Sequence, residues 1–98
     1  MSAVVLFVEL KIAAGQRDAF VARARQHRDR VLKNEPDCDR FDIAVPDGTT
    51  DVVRLYEVYA DQAAVDHHMQ TDYMVAYRAE SAAMVVDREI IKAVLAND

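Results

Sequence analysis

The sequence is poor in cysteine and glycine, the residues on which most redox, metal-binding and nucleotide-binding motifs depend. Its 98 residues include one cysteine, two glycines, two prolines and no tryptophan. A single cysteine, Cys38, forms no disulfide within the chain and makes no zinc site by itself. Two glycines are too few for a phosphate-binding loop, and the GxGxxG, GxSxG, CxxC and HExxH motifs do not occur. We therefore predict no metal site and no bound cofactor.

Positive charge and long apolar runs are also scarce. Twelve lysines and arginines face seventeen aspartates and glutamates, which gives a formal net charge of −5. That balance argues against nucleic acid and anionic membranes as partners. No apolar run approaches the ~20 residues of a bilayer span, and the start, MSAV, lacks the basic segment of a signal peptide. We therefore expect a cytoplasmic protein.

The length and composition predict one folded domain over residues 1–98. Domains usually contain ~100–150 residues, so a second domain has no room. The hydrophobic fraction of 52% is too high for a disordered chain.

Hydrophobic periodicity predicts the order β-α-β-β-α-β. Alternation predicts strands over 4–12, 38–45, 51–59 and 89–96, and a period of 3.6 predicts a helix over 16–34 that Pro36 ends. The second helical region is expected in two pieces, one capped by Asp61 and one by Thr71 or Asp72. The segment 89–96 also fits a continued helix. The order predicts an α+β, ferredoxin-like fold in which both helical regions cover one face of an antiparallel four-stranded sheet.

The first and third strands carry apolar residues on both faces. Since no further element of the chain is available to cover the second face, we expect a homodimer formed through that face of the sheet.

His68 is the first candidate for chemistry. It follows Ala64 by four residues and so lies on the apolar side of its helix. An imidazole there can transfer a proton near pH 7. The alternative is a packing histidine with a hydrogen bond to a strand.

Glu57 is the second candidate, because it shares a strand face with Val53 and Leu55. A carboxyl among such neighbours is expected to have a raised pKa, which often marks a functional site. The alternative is a salt bridge across the dimer with Arg40 or Arg54.

Several aromatic side chains are expected to line an apolar, substrate-binding pocket between helices and sheet, with core packing as the alternative. They are Tyr59, Tyr73, Tyr77 and Phe41, joined by His27 at the edge of the first helix's apolar stripe. The basic run over 23–30 is interpreted as a solvated helix face, with a phosphate-recruiting patch as the alternative.

Three segments resemble the antibiotic biosynthesis monooxygenase domain family. Residues 35–42, EPDCDRFD, resemble its EPGCxxFD stretch, and residues 56–68, YEVYADQAAVDHH, resemble its E-x-[WY]-x-D-x-x-A-[LV]-x-x-H block. Residues 8–20 resemble its first strand and helix. The resemblance implies a dimeric α+β barrel.

The same resemblance implies a cofactor-free monooxygenase that acts on a quinol or phenol. On that basis His68 would transfer protons, Glu57 would orient the substrate or share protons, and the aromatic set would line the pocket. The family also includes an isomerase that processes a phosphorylated autoinducer-2 product, so an enolising enzyme is an open alternative. A small-ligand-binding dimer without turnover is another.

Overall fold

The four strands form one antiparallel sheet. The computed structural model describes residues 2–97, and its strands are β1 (Val4–Ile12), β2 (Cys38–Ala44), β3 (Val52–Tyr59) and β4 (Val85–Val94). Their order across the sheet is β2-β3-β1-β4, and every neighbouring pair is antiparallel. The predicted α+β, ferredoxin-like fold is confirmed.

The helices are α1 (Arg17–Asn34), α2 (Gln62–Gln70) and α3 (Asp72–Ser81). The predicted division of the second helical region is confirmed, because Thr71 between α2 and α3 has an extended backbone with ψ of 147°. Asp61 caps α2 by accepting a hydrogen bond from the Ala64 amide at 2.8 Å. The Thr71 hydroxyl caps α3 by accepting from the Met74 amide.

The last strand begins earlier than predicted. A 3-10 turn over Ala82–Met84 follows α3 directly, so β4 starts at Val85 rather than at residue 89 and ends at Val94. The Met84 carbonyl accepts a hydrogen bond from the Ala13 amide at 2.8 Å, which joins this turn to the end of β1. Pairing with β1 also decides between the strand and the continued helix that the sequence left open.

The core lies between the sheet and the helices. Leu10 and Ile12 of β1 pack there with Phe20 and Val31 of α1, and all four are at most 1% exposed. The alternation of β1 and the helical period of α1 are both confirmed.

The opposite face of the sheet carries an exposed apolar cluster at its centre. Phe7 on β1 is 48% exposed, and Ile91, its partner in register on β4, is 55% exposed. Phe7 also packs against Tyr56 of β3 with 5.4 Å between the ring centroids. We call Phe7, Tyr56 and Ile91 the open-face cluster.

Candidate functional site

Two buried carboxyl groups lie on either side of the His68 ring. His68 Nδ1 is 3.0 Å from Glu35 Oε1 and 3.1 Å from Glu35 Oε2. His68 Nε2 is 3.9 Å from Glu57 Oε1. All three side chains are buried, and they come from the end of α1, from β3 and from α2.

Glu35 reaches this position because α1 ends there. Pro36 stops the helix, and the Glu35 amide donates the last helical hydrogen bond to the Val31 carbonyl at 2.8 Å. A carboxylate at a helix C-terminus is disfavoured by the helix dipole. Hydrogen bonds from His68 and from the Tyr73 hydroxyl, which donates to Glu35 Oε2, offset that effect.

The hydrogen bonds of Glu35 also assign the tautomer of His68. The Glu35 carboxylate accepts a hydrogen bond from the Tyr73 hydroxyl. Because an ionised carboxylate has no hydrogen to donate, it also accepts from the His68 ring. In the neutral imidazole, Nδ1 then carries the hydrogen and Nε2 presents a lone pair toward Glu57. The pKa of Tyr73 rises to about 12, first through burial and then through its bond to Glu35.

Glu57 is a buried carboxyl group whose pKa is raised to about 7, chiefly by burial. The Tyr59 hydroxyl donates to Glu57 Oε1 at 2.6 Å and partly offsets that rise. Burial and the neighbouring Glu57 charge raise the pKa of Tyr59 in turn. The expectation of a buried carboxyl with a raised pKa is confirmed.

The salt-bridge alternative for Glu57 is wrong. Glu57 points toward the helices, whereas the register puts Arg40 and Arg54 on the opposite face of their strands. Arg54 pairs with Glu9 across the strands at 2.8 Å, and Arg40 pairs with Asp42 on its own strand.

His27 is 2% exposed, and within residues 2–97 neither of its ring nitrogens has a hydrogen-bond partner. Its ring stacks on Tyr77 with 4.1 Å between centroids and 5° between planes. The His68 ring lies 5.6 Å away, and the Phe41 ring meets His27 edge-on. Burial, followed by the charges of His68 and Arg23, lowers the pKa of His27 to about 3, so this imidazole is neutral at physiological pH.

These groups surround a cavity of about 30 Å³, which has room for about two water molecules. Its floor is apolar strand residues, and Met69, Met74, Arg78, Arg88 and Ile90 complete its rim. Five of the residues predicted for the site line it: Glu57, His68, His27, Phe41 and Tyr77. Tyr59 and Tyr73 do not line it, and their hydroxyls contact the two carboxyl groups instead.

Sequence reasoning missed Glu35, Arg78 and Arg88. The signal for Glu35 was an acidic residue at a helix C-terminus, just before Pro36, where the dipole disfavours it. The signal for Arg88 was its spacing of two residues from Ile90, since residues two apart in a strand share a face. Both lie on the cavity side of β4. Arg78 follows Tyr77 on α3 and carried no signal of its own.

The basic run of α1 is largely engaged or solvated. Arg23 pairs with Glu80, and Arg28 Nε donates to the Phe41 carbonyl at 2.7 Å. Arg25 and Arg30 are exposed. The interpretation as a solvated helix face fits this arrangement better than a phosphate-recruiting patch does.

Among residues 2–97, no three histidine, cysteine or acidic side chains are placed to hold a metal ion together. In that same part of the chain, no helix has both the length and the apolar character needed to cross a bilayer.

Comparisons with known proteins place the fold. The profile of the family described as antibiotic biosynthesis monooxygenase matches residues 3–80. No curated protein matches the sequence.

Solved structures are similar over nearly the whole chain. A protein from Caulobacter crescentus, provisionally named an antibiotic biosynthesis monooxygenase, superposes with a TM-score of 0.94 at 22% identity and covers 98% of this chain and 92% of its own. One of the same provisional name from Nitrosomonas europaea gives 0.91 at 21% identity, covering 97% and 91%. At these identities the likeness establishes the fold alone.

Proposed function

This chain belongs to the antibiotic biosynthesis monooxygenase family, and from that premise we propose that it is a single-domain monooxygenase. The proposed substrate is a small aromatic phenol or quinol, bound in the cavity between helices and sheet and oxidised by O₂ without a bound cofactor. The observation that carries the proposal is the placement of His68, which lines the cavity with Nε2 beside Glu57 while the buried Glu35 carboxyl group contacts Nδ1.

The first step is removal of the phenolic proton by His68 Nε2. Glu35 holds the imidazole in the required tautomer and stabilises the imidazolium that forms, as an orienting carboxylate does for a histidine base. The gap of 3.9 Å between Nε2 and Glu57 Oε1 is too long for a direct hydrogen bond. A substrate hydroxyl placed between them would contact both groups.

The phenolate then reacts with O₂. It transfers one electron to give superoxide and a phenoxyl radical, which combine to form a carbon–oxygen bond at a ring carbon that carries hydrogen. The O–O bond of that peroxide breaks as the carbon loses its proton. One oxygen atom remains as the new quinone carbonyl, and the other leaves as water with two hydrogens from the substrate. The protein contributes positioning, proton transfers and exclusion of water.

Glu57 is proposed to orient the substrate and share its proton. With a pKa of about 7, it can donate to or accept from a substrate oxygen at neutral pH. His27, Phe41 and Tyr77 would hold the aromatic ring. Tyr59 and Tyr73, expected at first to bind substrate, are assigned to positioning the two carboxyl groups.

Substrate entry requires the rim to open, because the cavity is much smaller than the roughly 300 Å³ typical of ligand pockets. Met69 is 40% exposed and Met74 is buried at the rim. Unbranched thioether side chains adapt readily to a new shape. We propose that these two methionines move when the substrate binds.

A homodimer through the open-face cluster forms the second part of the proposal. Phe7 and Ile91 in this cluster are 48% and 55% exposed, and a second copy would cover them, as in a dimeric α+β barrel.

The test measures O₂ uptake with menadiol, comparing His68→Ala with His67→Ala. His67 is exposed on the same helix, so it is a matched control. Loss of the base should lower kcat by ~10²–10⁴-fold, while the control stays near wild type. One oxygen atom of labelled O₂ should appear in the product. Unchanged turnover in His68→Ala would remove His68 from the mechanism.

An enolising enzyme is the second candidate, because the Glu57 and His68 pair also suits proton transfer beside a carbonyl without oxygen. Substrate loss in an anaerobic cuvette would favour that reaction over the monooxygenase. If a bound ligand were recovered chemically unchanged after both aerobic and anaerobic incubation, the result would favour a binding protein without turnover.

A further inference from the structure

Two arginines lie at the rim of the cavity beside the proposed proton-transfer groups. Arg78 is on α3 next to Tyr77, and Arg88 is on β4 opposite Leu10, on the side of the strand that faces the helices. Both are half-buried, and both line the cavity together with Glu57 and His68.

Neither guanidinium has a hydrogen-bond or salt-bridge partner among residues 2–97. The other three half-buried arginines donate to acceptors within the chain: Arg17 to Thr49, Arg23 to Glu80 and Arg28 to the Phe41 carbonyl. Among the half-buried arginines, Arg78 and Arg88 are thus the two that lack a hydrogen-bond partner within residues 2–97, and they are also the two that line the cavity.

The charge of Arg78 acts on the Glu57 carboxyl in the same cavity, but with a pKa of about 7 that group is only partly ionised at neutral pH, so a bound anion would further stabilise the two arginines. Partial burial of a cation is costly unless it is paired. Here burial, followed by the charge of Arg78, lowers the pKa of Arg88. A planar guanidinium binds a carboxylate through two parallel hydrogen bonds, which would relieve both effects.

We propose that Arg78 and Arg88 form an anion subsite that binds a carboxylate carried by the aromatic substrate. The apolar cavity wall between this rim and His68, with Val8, Leu55 and Phe41 in its lining, would contact the ring. Binding at the rim would direct the hydroxyl group of the substrate toward His68 Nε2. The substrate class rests on the proposed function, and the subsite adds to it a requirement for negative charge.

The experiment compares two probes that differ only in the carboxylate, 6-hydroxy-2-naphthoate and 2-naphthol, because the carboxylate of the first lies at the opposite end of the ring system from its hydroxyl. Their Kd values are measured by calorimetry without oxygen, so the result does not depend on turnover. Wild type should bind the naphthoate at least ~10-fold more tightly, and salt should weaken only that ligand. Arg88→Met and Arg78→Met should each remove most of the preference and leave 2-naphthol binding unchanged. Arg25→Met, at an exposed arginine of α1, is the matched control.

Equal affinity for the two probes, or no binding of either at millimolar concentration, would overturn the subsite. Equal losses for both probes in the arginine variants would assign these residues a structural role and overturn it as well. Tighter binding of 6-hydroxy-2-naphthyl phosphate than of the naphthoate would show a phosphate site, against the carboxylate proposed. Oxidation of an uncharged quinol with no naphthoate preference would retain the monooxygenase and reject the subsite alone.

Discussion

His68 Nδ1 lies 3.0 Å from Glu35 Oε1, although the two residues are 33 positions apart in the chain. Both side chains are at most 4% exposed, so the contact is shielded from water. A charge-assisted hydrogen bond is stronger in such surroundings than at the surface. It fixes the orientation of the ring and so places Nε2 beside Glu57.

Glu35→Gln tests this contact. The amide oxygen can still accept from Nδ1, but the negative charge that stabilises the imidazolium is gone. We expect kcat, measured by O₂ uptake with menadiol, to fall by no more than the ~10²–10⁴-fold that the base itself contributes, with little change in KM.

Asp37→Asn is the control for Glu35→Gln, since it removes an exposed carboxylate two residues away. It should leave kcat and KM unchanged. A Glu35→Gln protein that kept the wild-type kcat would show that the carboxylate does not assist this base.

Glu57→Gln should flatten the pH dependence of stability. The folded-state pKa of Glu57 is raised from 4.5 to about 7, so its stabilising contribution is complete below pH 4.5 and is lost as pH rises through 7. The free energy of unfolding should therefore fall by about 3 kcal/mol over that interval in wild type, relative to Glu57→Gln. Chemical denaturation at pH 4.5 and pH 8 measures it.

Glu9→Gln provides the comparison for Glu57, because Glu9 is an exposed carboxylate on the neighbouring strand. It should retain the wild-type pH dependence. If the free energies of unfolding of wild type and Glu57→Gln changed in parallel with pH, the pKa of Glu57 would not be raised in the folded protein.

The sequence predicts the site residues whose positions depend on local pattern, Glu57 and His68. It misses Glu35, whose position depends on a contact between distant segments of the chain. Alternation along β3 places Glu57 among core residues, and the cap at Asp61 sets the phase of α2 that turns His68 inward. Both are decided within a few residues, so pattern alone is enough. The contact of Glu35 with His68 depends on how the end of α1 meets α2, and no local pattern contains that geometry.

The same limit explains β4. Residues 82–86, AAMVV, combine good helix formers with β-branched residues, so local propensity does not decide where α3 gives way to the strand. Pairing with β1 decides it at Val85 and places Arg88 on the cavity side. A strand that started at residue 89 would have left Arg88 outside the sheet.

Phe7→Asp should convert the proposed dimer into a monomer. It puts a charge at the centre of the open-face cluster, where Phe7 packs on Tyr56 and is 48% exposed. Burial of an unpaired carboxylate in an interface is strongly unfavourable. Sedimentation velocity at micromolar concentration should give a dimer for wild type and a monomer for the variant.

Val75→Asp is the control for Phe7→Asp, because Val75 is 60% exposed on α3, away from the open face. It should remain dimeric. A wild-type protein that sediments as a monomer would reject the interface altogether.

His27→Phe should make the protein less sensitive to acid. The folded-state pKa of His27 is lowered from 6.5 to about 3, so its contribution is complete above pH 6.5 and is lost as pH falls toward 3. The difference of one proton gives wild type a slope of up to about 1.4 kcal/mol per pH unit over that interval, which the variant lacks. Phenylalanine keeps a ring on Tyr77 and removes two nitrogens without partners.

The Glu57 contribution has the opposite sign between pH 4.5 and 7, so the wild-type curve alone does not isolate His27. The difference between His27→Phe and wild type does, because Glu57 is common to both. That difference should grow in favour of the variant as pH falls below 6.5. The same comparison with His67→Phe should show no such growth, since His67 is exposed. A constant difference across the interval would mean that His27 takes up a proton in the folded protein as readily as in the unfolded chain.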